Sequence, residues 1–388
     1  MKTIAIFSTT RAEFGIFSAL MKEIDRSNDI KYLLFVGGSH LAYETGHTVD
    51  EIFKQNFPVT ATFDYQLNQS DPSTIVKSLG LCTMEVAGIF KNYEFDFVCI
   101  LGDRMELLSI VSAAIIFNKP IIHLHGGERT EGAIDEQIRH MITKASHLHF
   151  PSCHEYASNI IGMGEDPFRV HNVGALAVDN MVGLPKITKE ILFQDLGIEL
   201  NKPVVLMTYH PVTLEKSISP LEQIINVFKA LGNYNYQILV TAPNADKDRD
   251  IIFEFIQKHV SENENIKYVD SLGVNRYLNL IPFCQFVIGN SSSAIIEVPY
   301  FKVPVVNIGE RQKGRIFHDN IISCGYSVEN IVDAIEQAIN PKFCDKIRFM
   351  SYKFGDGKTA SRIVNVIRQV SDIKALLTKR LIFTNNGK

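Results

Sequence analysis

The sequence predicts an α/β protein with two doubly wound parallel sheets, and three observations lead to this prediction. Short apolar runs alternate with stretches of helical periodicity along most of the chain, which is the pattern of parallel strands joined by helices. Polar and charged residues follow directly on several of these runs, at the strand ends where such sheets bind ligands. The length of 388 residues exceeds one ordinary domain and fits two of about 150–200 residues.

Composition and charge exclude several classes of protein. Hydrophobic residues make up 46% of the chain and charged residues 21%, as in globular proteins with sizeable cores. The net charge of −4 gives no bulk attraction to nucleic acid or to a membrane surface. The N-terminal apolar run is too short for a signal peptide, and no apolar segment approaches the about 20 residues of a transmembrane helix. The six cysteines are scattered without a C-x-x-C pair, and Cys99 and Cys284 lie in or beside apolar runs. We predict that these two are reduced core residues of a soluble cytoplasmic protein.

The first half of the chain predicts one sheet with its helices. A strand at residues 3–7 leads through the loop STTRAEFG into a helix at about 16–25. Later apolar runs are bounded by glycine, asparagine and charged residues, as strands and helices of such a sheet are. The remaining predicted strands are 31–36, 97–101, 120–125 and 147–150, and the remaining predicted helices are about 73–92, 106–117 and 135–144.

Chemistry-bearing side chains follow several of these strands. Asp103 and Arg104 place a carboxylate and a guanidinium at one strand end, where a surface ion pair or a helix cap is the structural alternative. The glycines at 126 and 127 allow close backbone approach or positive φ, which suits a loop that holds Glu128, Glu131 and Asp135 beside a ligand. The residues that we place at strand ends in this half are Arg11, His40, Asp103, Arg104, His125 and Glu128.

Asp135 and Glu136, at the start of a predicted helix, each have a structural interpretation beside the functional one. Asp135 begins a helix, where a capping role with i,i+4 charge pairs is as good an interpretation as a catalytic one. For its neighbour Glu136 we prefer the structural interpretation.

Histidine pairs at 123/125 and 147/149 alternate on strands, so each pair shares a face. No third ligand has a convincing spacing, and we therefore predict no metal and no cofactor.

The second half repeats the α/β pattern. Glycine and proline become frequent between residues 151 and 187, and we place the domain connection there. The predicted domains are 1–175 and 176–359, and the segment 360–388 is expected to form a helix that packs back on the first domain. Two such domains facing each other across a cleft would hold a nucleotide and its sugar. The predicted strands are 204–208, 237–241, 267–269, 286–288 and 303–308.

The stretch 286–315, FVIGNSSSAIIEVPYFKVPVVNIGERQKGR, predicts a phosphate site. Serines at 291–293 stand where a helix of about residues 294–300 should begin, and the N–H groups and dipole of a helix N-terminus favour anions. Three cations at 311, 313 and 315 follow the next strand. An ordinary serine cap beside a solvated basic loop is the alternative. His210, at the end of the strand 204–208, suits acid–base chemistry or phosphate contact because histidine titrates near neutrality.

Seven motifs in order across positions 9–315 resemble the hydrolysing UDP-N-acetylglucosamine 2-epimerase family: TTRAEFG, GGSH, LGDR, HLHGGERTEGAIDEQIRH, YHPVT, GNSSSAIIEVP and NIGERQKGR. The resemblance implies two Rossmann-like domains in the arrangement of the B-type glycosyltransferases. It also implies release of UDP from UDP-N-acetylglucosamine to give N-acetylmannosamine for sialic acid synthesis. Close relatives act on UDP-N,N'-diacetylbacillosamine on the way to legionaminic acid, which is the alternative substrate. The family's chemistry is elimination of UDP to a 2-acetamidoglucal, followed by hydration from the opposite face.

The resemblance also implies roles for particular residues. Asp103 and Asp135 match the family's catalytic carboxylates, and His210 is added to the predicted catalytic set. Many members have a third carboxylate in a His-x-Glu-Gly-Gly-Glu motif where this chain has His125, so that role passes to His125, to Glu128 or to neither. The family binds uracil through backbone near residues 269–272. The predicted substrate- and nucleotide-binding residues are Arg11, His40, Arg104, Asn244, Ser271, Ser291, Ser292, Glu297, Arg311 and Arg315.

Two other classes of function remain as alternatives. A retaining glycosyltransferase would share the fold and need an acceptor, and a nucleotide-sugar-binding regulator would bind without turnover. We expect a UDP-sugar as substrate, no nucleic-acid or membrane partner, and a homo-oligomer that is a dimer or tetramer. Such an enzyme would serve the synthesis of a capsule or another surface polysaccharide.

Overall fold

The computed structural model describes residues 1–43, 46–67, 71–130, 134–212, 217–243 and 249–382. The chain divides into two compact units. Unit 1 comprises Met1–Gly183 and the chain from Phe354 onward, and unit 2 comprises Leu184–Lys353. The first unit thus extends past the boundary predicted at residue 175, and the chain returns to it before residue 360.

Unit 1 contains a six-stranded parallel sheet in the order β3-β2-β1-β4-β5-β6. The chain order reverses between β1 and β4, and this switch point is where open α/β sheets bind ligands at the carboxyl ends of their strands. The strands are β1 (Lys2–Ser8), β2 (Ile30–Gly37), β3 (Val59–Phe63), β4 (Phe97–Leu101), β5 (Ile121–Leu124) and β6 (Leu148–Phe150).

Unit 2 repeats this topology, with a parallel sheet in the order β12-β11-β10-β7-β8-β9. In both units the first strand is central, the next two extend one side, and the last three extend the other. The prediction of two doubly wound, Rossmann-like domains is therefore confirmed. The strands are β7 (Val204–Thr208), β8 (Gln237–Thr241), β9 (Ile266–Val269), β10 (Cys284–Gly289), β11 (Val305–Ile308) and β12 (Ile321–Cys324).

Helices cover both faces of each sheet, and a few 3-10 turns join the elements. In chain order the helices are α1 (Arg11–Asp25), α2 (Val49–Lys54), α3 (Pro72–Asn92), α4 (Leu107–Ile116), α5 (Ile134–Ala145), α6 (His154–Gly162), α7 (Leu176–Val182), α8 (Lys189–Leu196), α9 (Pro220–Leu231), α10 (Arg249–Glu262), α11 (Gly273–Leu280), α12 (Ser293–Ile296), α13 (Val328–Ile339), α14 (Pro341–Arg348) and α15 (Thr359–Gln369).

The first helix begins earlier than predicted because it has a complete capping box. The Thr10 hydroxyl accepts the Glu13 backbone N–H at 3.4 Å, and the Glu13 carboxyl accepts the Thr10 N–H at 3.1 Å. These two bonds satisfy N–H groups that a helix start leaves open. The segment RAEFG is therefore the first turn of α1 and not a loop, and Arg11 is its first residue.

The C-terminal helix α15 belongs to unit 1. Its Ile363 and Ile367 are buried in the same core as Phe17 of α1. The Asp179 carboxylate of α7 accepts the first backbone N–H groups of α15, from Thr359 at 2.9 Å and from the next residue at 2.7 Å. A carboxylate at a helix N-terminus satisfies open donors and complements the helix dipole. The end of the chain is thus joined to the first unit by packing and by capping.

Helix α3 differs from the expectation that no segment reaches transmembrane length. Among the described residues, this 21-residue helix is long and apolar enough to cross a membrane by length and composition alone. One face of it, with Cys82, Val86 and Phe90, is buried in a core that also contains Ile110 of α4. Such packing is that of a helix covering a sheet in a globular unit.

Candidate functional site

Asp103, at the end of β4, is ion-paired with a buried arginine. Its Oδ2 accepts a hydrogen bond from Nη2 of Arg139, which lies on α5. Arg139 Nη1 donates to the Glu128 carbonyl oxygen at 3.0 Å, and Nη2 donates to the Thr130 hydroxyl at 2.9 Å. A buried guanidinium needs such partners because an unpaired charge away from water is strongly destabilising. Arg139 therefore ties Asp103 to the loop after β5 and favours its ionised form.

His125 and Glu128 form a polar pair in the loop after β5. His125 Nδ1 and Glu128 Oε1 lie 3.2 Å apart, and both side chains are largely buried. The Ser152 hydroxyl donates to the same Glu128 oxygen at 3.5 Å. His125 Nε2 is buried and makes no hydrogen bond within the described part of the chain. An imidazole that is held at one nitrogen can exchange a proton with a ligand at the other.

The backbone of this loop is unusual where His125 begins it. His125 has a φ of 59°, a left-handed conformation that is uncommon outside glycine and often persists at functional sites. A Cβ on Gly126 would lie 2.8 Å from His123 Nδ1, and Gly127 combines a φ of 78° with close approach to the Tyr156 carbonyl. The prediction that both glycines serve close approach or positive φ is confirmed. Residues 131–133 of the same loop lie outside the described residues.

The other histidines of the two alternating pairs have separate partners. His123 Nε2 lies 2.7 Å from the Gly102 carbonyl oxygen, and burial lowers the pKa of His123 to about 3. His147 Nδ1 accepts the Ile121 N–H at 3.0 Å, while His149 Nε2 lies 3.1 Å from Glu165. Within the described residues no group of three or more His, Cys, Asp or Glu side chains could hold a metal ion.

Arg104 is anchored by a chain of buried polar groups. Its Nε donates to Glu106 Oε1 at 2.6 Å, and its side chain is 42% exposed. The same Glu106 oxygen lies 2.7 Å from Thr9 Oγ1, which also lies 2.7 Å from Glu13 Oε2. Thr9 follows β1 and Glu106 follows the end of β4, so these contacts join the two loops at the switch point of the first sheet.

His40 and Arg11 have opposite environments. His40 is fully buried, with Nε2 2.9 Å from the Ser8 hydroxyl and Nδ1 2.8 Å from the Thr48 hydroxyl. Burial lowers the pKa of His40 to about 4, so the ring is neutral near pH 7. Arg11 is exposed at the first residue of α1. Both ring nitrogens of His40 are occupied, and we therefore propose no ligand contact for it, whereas Arg11 stays a proposed contact.

Asp135 and Glu136 lie in the first turn of α5, where acidic side chains complement the helix dipole. Glu136 accepts the Thr130 backbone N–H at 2.6 Å and the Arg139 guanidinium at 2.9 Å. These contacts agree with the structural interpretation of Glu136. Asp135 is half-buried, and its catalytic assignment remains a prediction.

In unit 2, a buried asparagine connects the ends of β7 and β10. Asn290 Oδ1 accepts the His210 backbone N–H at 2.7 Å, and Asn290 Nδ2 donates to the His210 carbonyl oxygen at 2.9 Å. Gly289 has a φ of 137°, and a Cβ there would overlap the Thr208 carbonyl oxygen. Glycine is therefore required at this point, which is the switch point of the second sheet.

The environment of His210 differs from the prediction that it titrates near neutrality. Burial, helped by the nearby Arg311 charge, lowers the pKa of His210 to about 3. The ring is therefore neutral at physiological pH and has no positive charge for a phosphate. It can still donate or accept one hydrogen bond as neutral imidazole.

The loop after β11 is fixed against the end of β10. Arg311 Nη1 and Gln312 Nε2 both donate to the Asn290 carbonyl oxygen, at 3.1 Å and 2.8 Å. Arg315 is half-buried in this loop, while Lys313 is exposed and paired with Glu310 at 2.8 Å. Arg311 is thus held beside the strand end that the serines follow.

The helix after those serines is shorter than predicted. α12 has only four residues, and a 3-10 turn over Val298–Phe301 replaces its expected second turn. Pro299 lacks the N–H that a continuing α-helix would use. The Ser292 side chain makes no capping hydrogen bond, and Ser291 Oγ accepts the Ser293 N–H at 3.4 Å. A single turn has little macrodipole, so the prediction of a full helix N-terminus for phosphate was wrong in this respect.

Three more predicted residues belong to unit 2. Ser271 Oγ accepts the Gly273 N–H at 3.1 Å, just before α11. Glu297 is half-buried after α12, and burial together with the Glu297 charge raises the pKa of Tyr277, whose hydroxyl is hydrogen-bonded to Ser293. Asn244 lies outside the described residues.

Comparison with known proteins shows which family this chain matches. The sequence family described as UDP-N-acetylglucosamine 2-epimerase matches residues 22–368. The GDP/UDP-N,N'-diacetylbacillosamine 2-epimerase (hydrolyzing) of Campylobacter jejuni is 35% identical over 387 residues, 98% of this chain and 99% of that protein. The UDP-N-acetylglucosamine 2-epimerase of Neisseria meningitidis is 30% identical over 391 residues, 99% and 100% of the two chains.

Solved structures share the fold over nearly the whole chain. A Staphylococcus aureus MnaA structure with UDP has a TM-score of 0.80 at 21% identity and covers 99% of this chain and 100% of that one. A Neisseria meningitidis UDP-GlcNAc 2-epimerase bound to UDP-GlcNAc has a TM-score of 0.79 at 17% identity, with 95% and 100% covered. The resemblance inferred from the seven motifs is confirmed by the sequence matches. This chain belongs to the UDP-N-acetylglucosamine 2-epimerase family.

Proposed function

We propose that this chain is a hydrolysing 2-epimerase, which converts a UDP-linked 2-acetamido sugar and water to the free 2-epimerised sugar and UDP. Relatives in Campylobacter jejuni and Legionella pneumophila, at 35% and 32% identity, are named hydrolyzing enzymes. The structural observation that supports the proposal is the polar group at the carboxyl edge of the first sheet. There the Asp103 carboxylate is paired with Arg139, and His125 lies against Glu128.

The proposed reaction has two balanced steps. In the first, a base removes the proton from sugar carbon 2 while the bond from carbon 1 to the UDP oxygen breaks, which gives a 2-acetamidoglucal and UDP. In the second, water adds its hydroxyl to carbon 1, and carbon 2 gains a proton from the opposite face. A diphosphate leaves without protonation where cations and N–H donors stabilise its charge. The hydrogen on carbon 2 is not acidic, so its removal needs a positioned base.

We assign the acid–base steps to unit 1. The buried Arg139 keeps Asp103 in its ionised form, which suits a proton acceptor or a group that directs water. Asp135 is the second carboxylate of the proposal. His125, whose buried Nε2 has no hydrogen-bond partner among the described residues, and Glu128 are the candidates for the task of the third carboxylate of many family members.

We assign the nucleotide to unit 2. Arg311 and the hydroxyls of Ser291 and Ser292 would contact the diphosphate, since Arg311 is fixed at the strand end that precedes these serines. Glu297 would bind the ribose hydroxyls, and the backbone around Ser271 would bind uracil. His210 would contribute a neutral hydrogen bond. Arg104 and Arg315 remain proposed substrate contacts.

Removal of Arg311 tests the diphosphate assignment. We expect Arg311→Ala to weaken UDP binding about 10- to 150-fold, because a charge-assisted hydrogen bond contributes roughly 1.5–3 kcal/mol. Ser292→Ala should weaken it as well, and titration calorimetry with UDP measures both. Arg348→Ala is the matched control, since Arg348 is an exposed arginine of unit 2 paired with Asp345 at 3.3 Å. Unchanged affinity in Arg311→Ala and Ser292→Ala would contradict the assignment.

The sugar distinguishes two candidate substrates. We propose UDP-N,N'-diacetylbacillosamine as the preferred one, because the relatives at 35% and 32% identity carry its name, whereas the Neisseria relative named for UDP-N-acetylglucosamine is 30% identical. We expect kcat/KM to favour the diacetamido sugar by more than about 100-fold, or ~2.7 kcal/mol. A preference of the same size for UDP-N-acetylglucosamine would instead support the N-acetylmannosamine and sialic acid assignment.

The products separate the hydrolysing reaction from its rivals. Incubation with either UDP-sugar and no acceptor should release UDP and the free 2-epimer in equal amounts, measured by NMR. Transfer that requires an added acceptor would indicate a glycosyltransferase, and tight binding without turnover would indicate a regulator. A reversible mixture of two UDP-sugars without free UDP would show a non-hydrolysing 2-epimerase.

A further inference from the structure

We propose that Glu13, Thr9 and Glu106 form a buried network that shares one proton and positions Arg104 at the switch point of the first sheet. The network is a feature of unit 1 by itself. Only the effect of the network on turnover rests on the proposed function, in which Arg104 is a substrate contact. In this proposal Glu13, Thr9 and Glu106 are positioning residues, since each acts through Arg104 and none touches substrate.

The proton count follows from one hydroxyl group between two carboxyl groups. Thr9 Oγ1 lies 2.7 Å from Glu13 Oε2 and 2.7 Å from Glu106 Oε1. A threonine hydroxyl has one hydrogen to donate, and an ionised carboxylate can only accept. With both carboxyls ionised, one of the two short contacts would bring oxygen lone pairs together without a hydrogen. One of the two carboxyl groups therefore holds a proton.

The surroundings indicate which carboxyl holds it. Burial raises the pKa of Glu13 to about 7, although the Arg104 charge opposes the shift. Burial acts in the same direction on Glu106, but the charge and hydrogen bond of Arg104 outweigh it and lower the pKa of Glu106. The other titratable groups nearby, Tyr65 and Cys82, have pKa values raised by burial and stay neutral. Glu13 is thus the member that holds the proton as the pH rises towards about 7, and Glu106 is the ionised one.

The network holds the Arg104 side chain in place. Glu106 is buried, accepts Arg104 Nε at 2.6 Å and is itself held from the other side by Thr9. Glu13 Oε2 accepts the backbone N–H groups of Thr9 at 2.8 Å and of Thr10 at 3.1 Å, which fixes the loop after β1. A guanidinium held in this way loses little rotamer freedom when it binds an anionic or polar ligand.

Two substitutions test whether Glu106 acts through Arg104. We expect Glu106→Gln to raise KM for the UDP-sugar roughly 10-fold, the lower range for loss of a charge-assisted bond, with a smaller change in kcat. Arg104→Ala should raise KM at least as much. The double variant Glu106→Gln/Arg104→Ala should be no worse than Arg104→Ala alone, because coupled residues are not additive. Multiplied losses in the double variant would overturn the positioning role.

A stability measurement tests the shared proton without any substrate. The folded pKa of Glu13, about 7, lies above its ordinary value of 4.5. The contribution of Glu13 to stability is therefore complete below about pH 4.5 and is lost as the pH rises through 7. Glu13→Gln mimics the protonated side chain and does not titrate. We expect Tm of Glu13→Gln minus Tm of the wild type to become more positive between pH 5 and pH 8.

The control for this measurement lies on the same helix. Glu23 is near the surface and pairs with Arg26 at 3.2 Å, so the Tm difference for Glu23→Gln should change little over the same pH range. A Tm difference for Glu13→Gln that does not change with pH would overturn the shared proton. If the pH dependence is found and no turnover occurs with either UDP-sugar, the network stands and the proposed function fails.

Discussion

Asp103→Asn and Asp135→Asn should each lose about 10²–10⁴-fold in kcat and still bind UDP, because a positioned acid–base group contributes this much to rate. Asparagine keeps the shape of aspartate and loses its charge. The expected loss is far larger than that from a disturbed helix cap, which costs about 1 kcal/mol, or roughly fivefold, and changes stability first. Steady-state turnover and UDP calorimetry on the same preparations separate chemistry from nucleotide binding.

Asp103→Asn needs a check on the fold, because Asp103 is a counter-charge of the buried Arg139. Arg139 keeps Glu136 and the Glu128 carbonyl oxygen as partners, so we expect the variant to remain folded with a lower Tm. Asp372→Asn is a matched control in the same unit, since Asp372 is exposed and its hydrogen bond to the Ala375 N–H survives the change. If Asp103→Asn and Asp135→Asn both keep near-wild-type turnover, the carboxylate mechanism is wrong.

The second large effect concerns the residue that replaces the usual third carboxylate. We expect His125→Ala to lose turnover as severely as the aspartate variants, by about 10²–10⁴-fold. The reason is that His125 Nε2 is buried and has no hydrogen-bond partner among the described residues, while Nδ1 is held at 3.2 Å by Glu128. In the proposed mechanism Glu128 would orient the ring, and Nε2 would exchange a proton with the substrate.

Glu128→Gln separates the two candidates. If Glu128 only orients the ring, Glu128→Gln should lower kcat less than His125→Ala does, because the glutamine amide can still hydrogen-bond the ring. His154→Ala is the control, because His154 is exposed at the start of α6. Near-normal kcat in His125→Ala with a large loss in Glu128→Gln would assign the role to Glu128.

Much of the fold could be predicted from the sequence because it depends on local patterns. The inner strands β4 and β7 are buried over all or most of their length, and they begin and end at the predicted residues. A run of apolar residues bounded by polar ones marks such a buried parallel strand. The edge strands β3 and β12 were not predicted. Both are short and partly exposed, so their sequences lack the continuous apolar run of an inner strand.

Some helix ends could have been predicted from the local sequence, whereas the packing of the C-terminal helix could not. The capping box of Thr10 and Glu13 is a sequence signature, and the earlier start of α1 could have been predicted from it. The shortness of α12 follows from Pro299 in the same way. The return of α15 to unit 1 at Phe354, by contrast, depends on the Asp179 cap and on packing against α1, which join residues far apart in the chain.

By itself the sequence determined the family, the two doubly wound sheets and the strand ends at which ligand-binding side chains should lie. Tertiary structure alone decided how those side chains are held. Arg139 contacts Asp103 and Asn290 contacts His210 across 36 and 80 positions of the chain. His40 has the same strand-end placement as Asp103, yet Ser8 and Thr48 occupy both its ring nitrogens. Periodicity reports which face a side chain is on, whereas the partner of a buried polar group is set by whatever the fold brings within hydrogen-bonding distance.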